Sequence, residues 1–162
     1  MKISLVQPTL LLFIITSIIG CADHEIKKEE TEQYDFAFGS FYGECMGEQC
    51  VEFFIVREGK LFENTSDQYP NQQEEYTFNA LVELDQQNYE LVKNIRDGIP
   101  ADLFDQRQTV IGCPDCSDGG GIYLKVTRNG EARHWYIDAQ RTEPYLENFI
   151  LDLKEKIRLL NP

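Results

Sequence analysis

Apolar and polar residues alternate in short runs over much of the chain, and alternation at period two predicts strands with one face buried. Tyr34, Phe36 and Phe38 alternate with Asp35 and Ala37, and Gly39 is expected to mark a bulge or bend before Phe41 and Tyr42. Val51 to Val56 (VEFFIV) is dense in β-branched and aromatic residues and predicts a well-buried strand. Arg57-Glu58-Gly59-Lys60 suits a tight turn into a further strand over Leu61-Phe62-Glu63. Asn64 to Glu75 is polar, carries Pro70 and predicts a surface loop; Tyr76 to Ala80 alternates again and predicts a strand.

The cleanest hairpin joins Ile122–Thr127 to Ala132–Ile137 through Arg128-Asn129-Gly130-Glu131, whose Asn-Gly centre favours positive φ. A two-residue turn there sets the cross-strand pairs. Leu124 then faces Trp135 and Ile122 faces Ile137 on one side, while Tyr123 faces Tyr136 and Lys125 faces His134 on the other. The first side is expected to be core.

Two stretches change period to that of a helix. Over Gln86 to Asp97 the stripe is Tyr89, Val92 and Ile95 with Leu91 alongside. Asp85 is placed to cap it, Gly98 to follow its last turn in the left-handed conformation, and Pro100 to prevent continuation. The longer stripe is Leu146, Phe149, Ile150, Leu153, Ile157 and Leu160, with the helix starting at Thr142 or Glu143 and Pro144 in its first turn. Strands, a helix, a hairpin and a last helix predict an α+β fold: an antiparallel β-sheet with a mid-chain helix and a long C-terminal helix packed on one face. No strand–glycine-rich turn–helix phosphate fingerprint is present, which excludes Rossmann-type and P-loop chemistry.

The N-terminal part follows a different pattern. Lys2 precedes an apolar run from Thr9 to Ile19, and Gly20 stands directly before Cys21. Charge, apolar run, small residue and cysteine in that order predict a bacterial lipoprotein signal over residues 1–20, cut so that Cys21 becomes the lipidated first residue. Residues 22–33 (ADHEIKKEETEQ) are charged and nearly free of apolar side chains, so residues 21–33 are expected to be a lipidated cysteine and a solvated tether. Residues 34–162 then form a single domain. The expected address is the bacterial cell envelope, with the outer membrane favoured over the inner.

Net charge is −13, and removal of the signal takes it to −14. That balance repels phosphate backbones and argues against nucleic acid as a partner. It also argues against a basic membrane-binding face, leaving the lipid on Cys21 as the membrane contact.

The mature chain keeps Cys45, Cys50, Cys113 and Cys116 beside the lipidated Cys21. An even four thiols in an oxidising compartment predict two disulfides. Local pairing joins Cys45 to Cys50 and Cys113 to Cys116; crossed pairing would staple the first hairpin to the later loop. The stems flanking Cys45 and Cys50 should pair, which favours the local arrangement, but both stay open on the sequence. A four-thiolate zinc site is the competing use of the same residues.

Cys113-Pro114-Asp115-Cys116 also has the two-residue spacing of dithiol oxidoreductases, in which a helix N-terminus lowers the pKa of the first thiol. Ser117, Asp118 and three glycines follow, which do not start a helix, and Asp115 and Asp118 would raise a thiol pKa. The glycine run predicts a sharply bent connector with its acids solvated. His134 on the polar side of its strand, with Asp138 and some serine, lacks any nucleophile-elbow pattern.

Tyr42-Gly43-Glu44-Cys45 with Cys50-Val51, the Gly112-Cys113-Pro114-Asp115-Cys116 loop, the Trp135-Tyr136-Ile137-Asp138 strand and the C-terminal helix together resemble a group of uncharacterised Gram-negative bacterial lipoproteins. That resemblance implies a lipidated envelope protein and no particular activity. A second, local likeness is to copper-resistance and envelope-stress lipoproteins, whose Cys-x-x-Cys followed by Gly-Ile is similar to Cys113, Cys116 and Gly121-Ile122. Their motif lies just after the lipidated cysteine, whereas here it lies late.

With no recognisable catalytic set, no metal ligand set and no cofactor motif, the expectation leans to a non-enzymatic binding or interaction module. Its partner would be a protein or small molecule that the sequence does not specify. The alternative is a thiol-redox or metal-handling envelope protein acting through Cys113 and Cys116.

Overall fold

A computed structural model describes residues 36–45, 48–128 and 130–161. Cys21, the tether, Tyr34 and Asn129 lie outside them. In chain order the elements are β1 (Phe36–Phe41), β2 (Val51–Arg57), β3 (Lys60–Asn64), β4 (Leu81–Glu83), α1 (Gln86–Val92), α2 (Ala101–Asp105), β5 (Val110–Ile111), β6 (Gly121–Arg128), β7 (Glu131–Asp138) and α3 (Glu147–Leu160). The described strands form one seven-stranded sheet in the order β4-β3-β2-β1-β6-β7-β5. The fold is α+β, as the pattern of elements predicts.

The β6–β7 register pairs Leu124 with Trp135, Ile122 with Ile137, Tyr123 with Tyr136 and Lys125 with His134, the set that an Asn-Gly turn dictates. Every neighbouring pair is antiparallel except β5 with β7, which are parallel. Two reversals explain the exception. The cysteine-glycine loop turns β5 back into β6, the hairpin turns β6 back into β7, and β5 and β7 therefore run the same way.

One face of the sheet carries Phe36, Phe38, Phe54, Leu61, Ile122, Leu124, Val126, Trp135 and Ile137, and it packs under the helical layer. α3 contributes the expected stripe, from Phe149 to Leu160, all buried. It starts at Glu147 rather than at Thr142 or Glu143. Asp138 holds the preceding chain in a turn through the Gln140 and Arg141 amides, and Leu146 N donates to Glu143 O at 2.8 Å. The mid-chain helix is also shorter than its apolar period suggests. Asp85 caps it by accepting from Asn88 N at 2.9 Å. The helix breaks after Val92, and a 3-10 turn over Ile95–Gly98 carries the stripe onward. Asn94 sits at the break, and asparagine favours such positions because its side chain competes with helical backbone hydrogen bonding. Gly98 keeps an ordinary backbone conformation rather than the left-handed one expected.

The second face is where the structure departs most from the pattern. Tyr123 and Tyr136 are fully buried and Lys125 is only 7% exposed, so both sides of the hairpin are core. The cover is the segment 65–80. Tyr76 and Phe78 join Ala37, Phe41, Val51, Phe53, Ile55, Tyr123 and Tyr136 in a second apolar cluster. The Tyr76 ring meets Phe53 edge-on at 4.5 Å.

Tyr76 to Ala80 joins no strand ladder, contrary to its alternation. A side chain does part of the work of a neighbouring strand. Buried Asn64 accepts from Asn79 N and Ala80 N at 3.3 and 3.4 Å and donates to the Tyr76 hydroxyl at 3.1 Å. Tyr136 adds a hydrogen bond to Glu74 O at 2.8 Å, and Lys125 pairs with Glu75 at 2.5 Å. We refer to residues 65–80 as the strap.

Candidate functional site

The register fixes where the cysteines meet. Phe41, at the end of β1, lies opposite Val51 on one side and Gly121 on the other. The 42–50 connection and the 112–120 connection therefore leave the same end of the sheet side by side. Disulfides close each of them: Cys45 with Cys50 and Cys113 with Cys116, with Cα atoms 5.5 Å apart in both pairs. The pairing is the local one. Its reason is visible in the ladder, since Tyr42 N donates to Cys50 O at 2.8 Å and holds the first stems together. All four sulfurs are thereby taken out of a common thiolate site.

Asp115 joins the two loops. One carboxylate oxygen accepts from Gly43 N at 2.6 Å and from the Tyr69 hydroxyl at 2.8 Å; the other accepts from Gly120 N at 3.0 Å. Its own amide donates to Gly120 O at 3.0 Å. This acid, expected to stay solvated, is half-buried and bonded, whereas Asp118 is exposed. Burial, reinforced by the Asp115 hydrogen bond and charge, pushes the Tyr69 phenol up to about 12, so it remains a donor at neutral pH. Close approach explains one glycine of the run. A Cβ on Gly120, at φ 71°, would fall 2.2 Å from the Tyr42 ring.

Asp138 performs the corresponding task from β7. It accepts from Cys113 N at 3.3 Å, Gln140 N at 2.9 Å and Arg141 N at 2.8 Å. Burial raises its pKa, but the Arg141, Gln140 and Cys113 amides together with the Arg141 charge outweigh that and hold it below the usual carboxylate value. The sign follows from linkage. A carboxyl depressed in the folded state contributes stability above its unfolded pKa of about 3.9, and that contribution is lost as pH falls through the folded value. Asp138→Asn is expected to cost about 1–2 kcal/mol at pH 7, with the gap to the parent narrowing as denaturation is repeated from pH 5 toward pH 2. A gap independent of pH would show that the carboxylate charge is not what the three amides read.

Cys113 and Cys116 are exposed, and no α-helix begins at either. A 3-10 turn over Cys116–Asp118 follows the first cysteine, with Asp115, Ser117 and Asp118 at φ 60°, 56° and 56°. The helix-dipole support of a low-pKa thiol is thus missing from this loop.

Two hollows flank this end of the sheet and share Tyr42 as a wall. On the strap side, a hollow of about 610 Å³ is lined by Tyr42, Glu44, Asp67, Tyr69, Asp115 and Asp118 together with the Cys45 and Cys50 side chains. On the helix side, one of about 410 Å³ lies between α3 and the ends of β1 and β2, lined among others by Ser40, Glu52, Leu151, Lys154 and Arg158. Leu151 is 60% exposed at its rim.

His134 stands apart from this end. Its ring nitrogen Nδ1 lies 3.8 Å from Glu75, beside the Lys125–Glu75 pair and under the strap. Burial lowers its pKa, Glu75 opposes that, and Lys125 adds to it, so the imidazole is held toward its neutral form. Asp138 faces backbone amides instead of this histidine. Among the described residues no group of three or more His, Cys, Asp or Glu side chains is placed to hold a metal ion, and no helix is long and apolar enough to cross a membrane. Tyr69 and Asn64 carry no sequence signal as site builders, and Asp138, weighed beside His134 in the sequence, serves backbone amides instead. The available signal was Tyr42, at the head of the first cysteine loop.

No protein-family model, no curated protein and no solved structure matches the chain.

Proposed function

We propose that this chain is a lipid-anchored protein of the bacterial cell envelope that acts by binding, not by catalysis. Acylated Cys21 is its membrane contact, and its partner, a protein or a small molecule, seats at the end of the sheet that carries the two cysteine loops. The observation that carries the reading is the pair of hollows sharing Tyr42, on a rim that two disulfides and the Asp115 hydrogen bonds hold in place. Fixing loops before a partner arrives lowers the entropic cost of association. The ordered Lys2, Thr9–Ile19, Gly20 and Cys21 pattern supports the anchor, and paired surface disulfides suit an oxidising compartment.

Expression of the full chain with labelled palmitate in a Gram-negative host tests the anchor. Label in the membrane fraction is expected for the parent and none for Cys21→Ser; an unlabelled parent would remove the address. The purified chain is further expected to accelerate reduction of a disulfide substrate by an external dithiol no more than a variant with Cys113→Ser and Cys116→Ser does. A rate that depends on those two sulfurs while the fold stays intact would replace binding with thiol-redox chemistry.

A further inference from the structure

The strap is fastened in two halves by different means. Residues 74–80 are held by the sheet itself, through the Tyr76 and Phe78 rings, the Asn64 hydrogen bonds, the Tyr136–Glu74 bond and the Lys125–Glu75 pair. Residues 69–72 touch the sheet where the Tyr69 ring meets Phe41 edge-on at 5.5 Å, and their polar anchors go to the cysteine loop. The Tyr69 hydroxyl donates to Asp115 at 2.8 Å, and Gln72 Nε2 donates to Pro114 O at 3.4 Å. Pro114 and Asp115 are the two residues between the bridged cysteines. The small ring closed by one disulfide therefore carries both of these anchors.

We propose that the Cys113–Cys116 disulfide is a redox-controlled latch for the first half of the strap: reduction releases residues 69–72 from the cysteine loop while residues 76–80 stay on the sheet. Three observations support it independently of the binding role. First, both sulfur-bearing residues are exposed and open to a reductant. Second, Asp115, Ser117 and Asp118 all sit in the left-handed region, which residues other than glycine occupy rarely. Of the three, Asp115 lies inside the ring; opening it lets Asp115 return to ordinary backbone angles, and its carboxylate swings off its three donors. Third, those donors belong to separate parts of the chain, Gly43, Tyr69 and Gly120, so a single displacement loosens the first cysteine loop and the strap together.

The chemical step needs an external dithiol. One of its thiolates attacks a sulfur of the bridge, breaking the Cys113–Cys116 bond and forming a mixed disulfide. Its second thiol then closes on the first, leaving an oxidised reductant and two protonated cysteines. Two electrons and two protons pass from the dithiol to the protein.

Residue-resolved hydrogen exchange by NMR on the full chain tests the latch, with dithiothreitol as the dithiol. A background carrying Cys45→Ser and Cys50→Ser confines reduction to the second bridge. Exchange of the Gly43, Gly120 and Gln73 amides is expected to accelerate about tenfold or more on reduction, while Asn79, Ala80 and the β1 amides keep their rates. Reoxidation is expected to restore the slow exchange. If that background does not fold, the variant with Cys113→Ser and Cys116→Ser is compared directly with the oxidised parent, and the same amides must accelerate. Unchanged rates at Gly43 and Gln73 would overturn the proposal. So would equal acceleration at Asn79 and Ala80, because the bridge would then stabilise the whole face rather than latch one half.

Discussion

Gly39→Ala is expected to destabilise the protein by about 3 kcal/mol or more, enough to lower the thermal midpoint by roughly 10 °C. A Cβ at this position would lie 2.0 Å from the carbonyl oxygen of Glu52, 2.4 Å from the Phe53 ring and 2.8 Å from Phe53 Cα. Two of those three atoms belong to backbone. They have nowhere to go, because β1 is hydrogen-bonded to β2 on one side and β6 on the other. The register runs unbroken through Phe38↔Phe54, Gly39↔Phe53 and Ser40↔Glu52. Gly39 is thus no bulge or bend, contrary to the usual meaning of a strand glycine. It is present because the Phe53 side chain lies across the space its own side chain would fill.

A second glycine serves as the control for that experiment. A Cβ on Gly98 would meet only the Phe149 ring, at 3.8 Å, and its backbone lies outside the left-handed region. Gly98→Ala is therefore expected to leave stability unchanged or raise it by about 0.4–1 kcal/mol, through the reduced freedom of the unfolded chain. Urea and thermal denaturation of the two variants beside the parent measure both differences. A Gly39→Ala midpoint within about 2 °C of the parent would mean that β1 and β2 separate more easily than their central place in the sheet implies.

What the sequence made legible depended on how local the cause was. The β6–β7 register follows from two adjacent turn residues, and the α3 stripe from the spacing of five apolar side chains within one helix. Both are decided within about twenty residues. The burial of Tyr123, Tyr136 and Lys125 is decided elsewhere, by a strap whose composition is dominated by Asn, Gln, Glu and Thr. Its three aromatic residues, Tyr69, Tyr76 and Phe78, are spread too thinly among polar ones to announce a covering layer. The site was half legible for the same reason. Cysteine spacing and the pairing of the first stems favour local bridges, but the Asp115–Gly43 hydrogen bond spans 72 positions and has no signature in either loop. Asp115 and Asp118 have similar local sequence surroundings. Only the fold distinguishes the bonded one from the exposed one.

Phe53→Ala is the substitution expected to show that the strap is part of the core. Phe53 is fully buried, and its ring meets Phe41 at 6.3 Å, Tyr76 at 4.5 Å, Phe78 at 6.4 Å and Tyr123 at 5.3 Å. Removing a ring from a site with so many fixed neighbours is expected to cost about 3–5 kcal/mol. Part of that cost belongs to the strap, since Tyr76 and Phe78 lose the surface they rest on. Tyr76→Ala in the parent removes the same contact from the other side. The double variant should therefore be less destabilised than the two single changes added together, by about 0.5–3 kcal/mol. Strict additivity in a denaturation cycle would mean that Tyr76 and Phe53 are coupled weakly despite their edge-to-face contact. The strap would then owe its place to Asn64, Glu75 and Tyr136. With the coupling present, apolar contact adds to the Asn64 hydrogen bonds in keeping residues 76–80 on the sheet, whatever happens at Asp115, and the polar anchors of residues 69–72 are left to the cysteine loop.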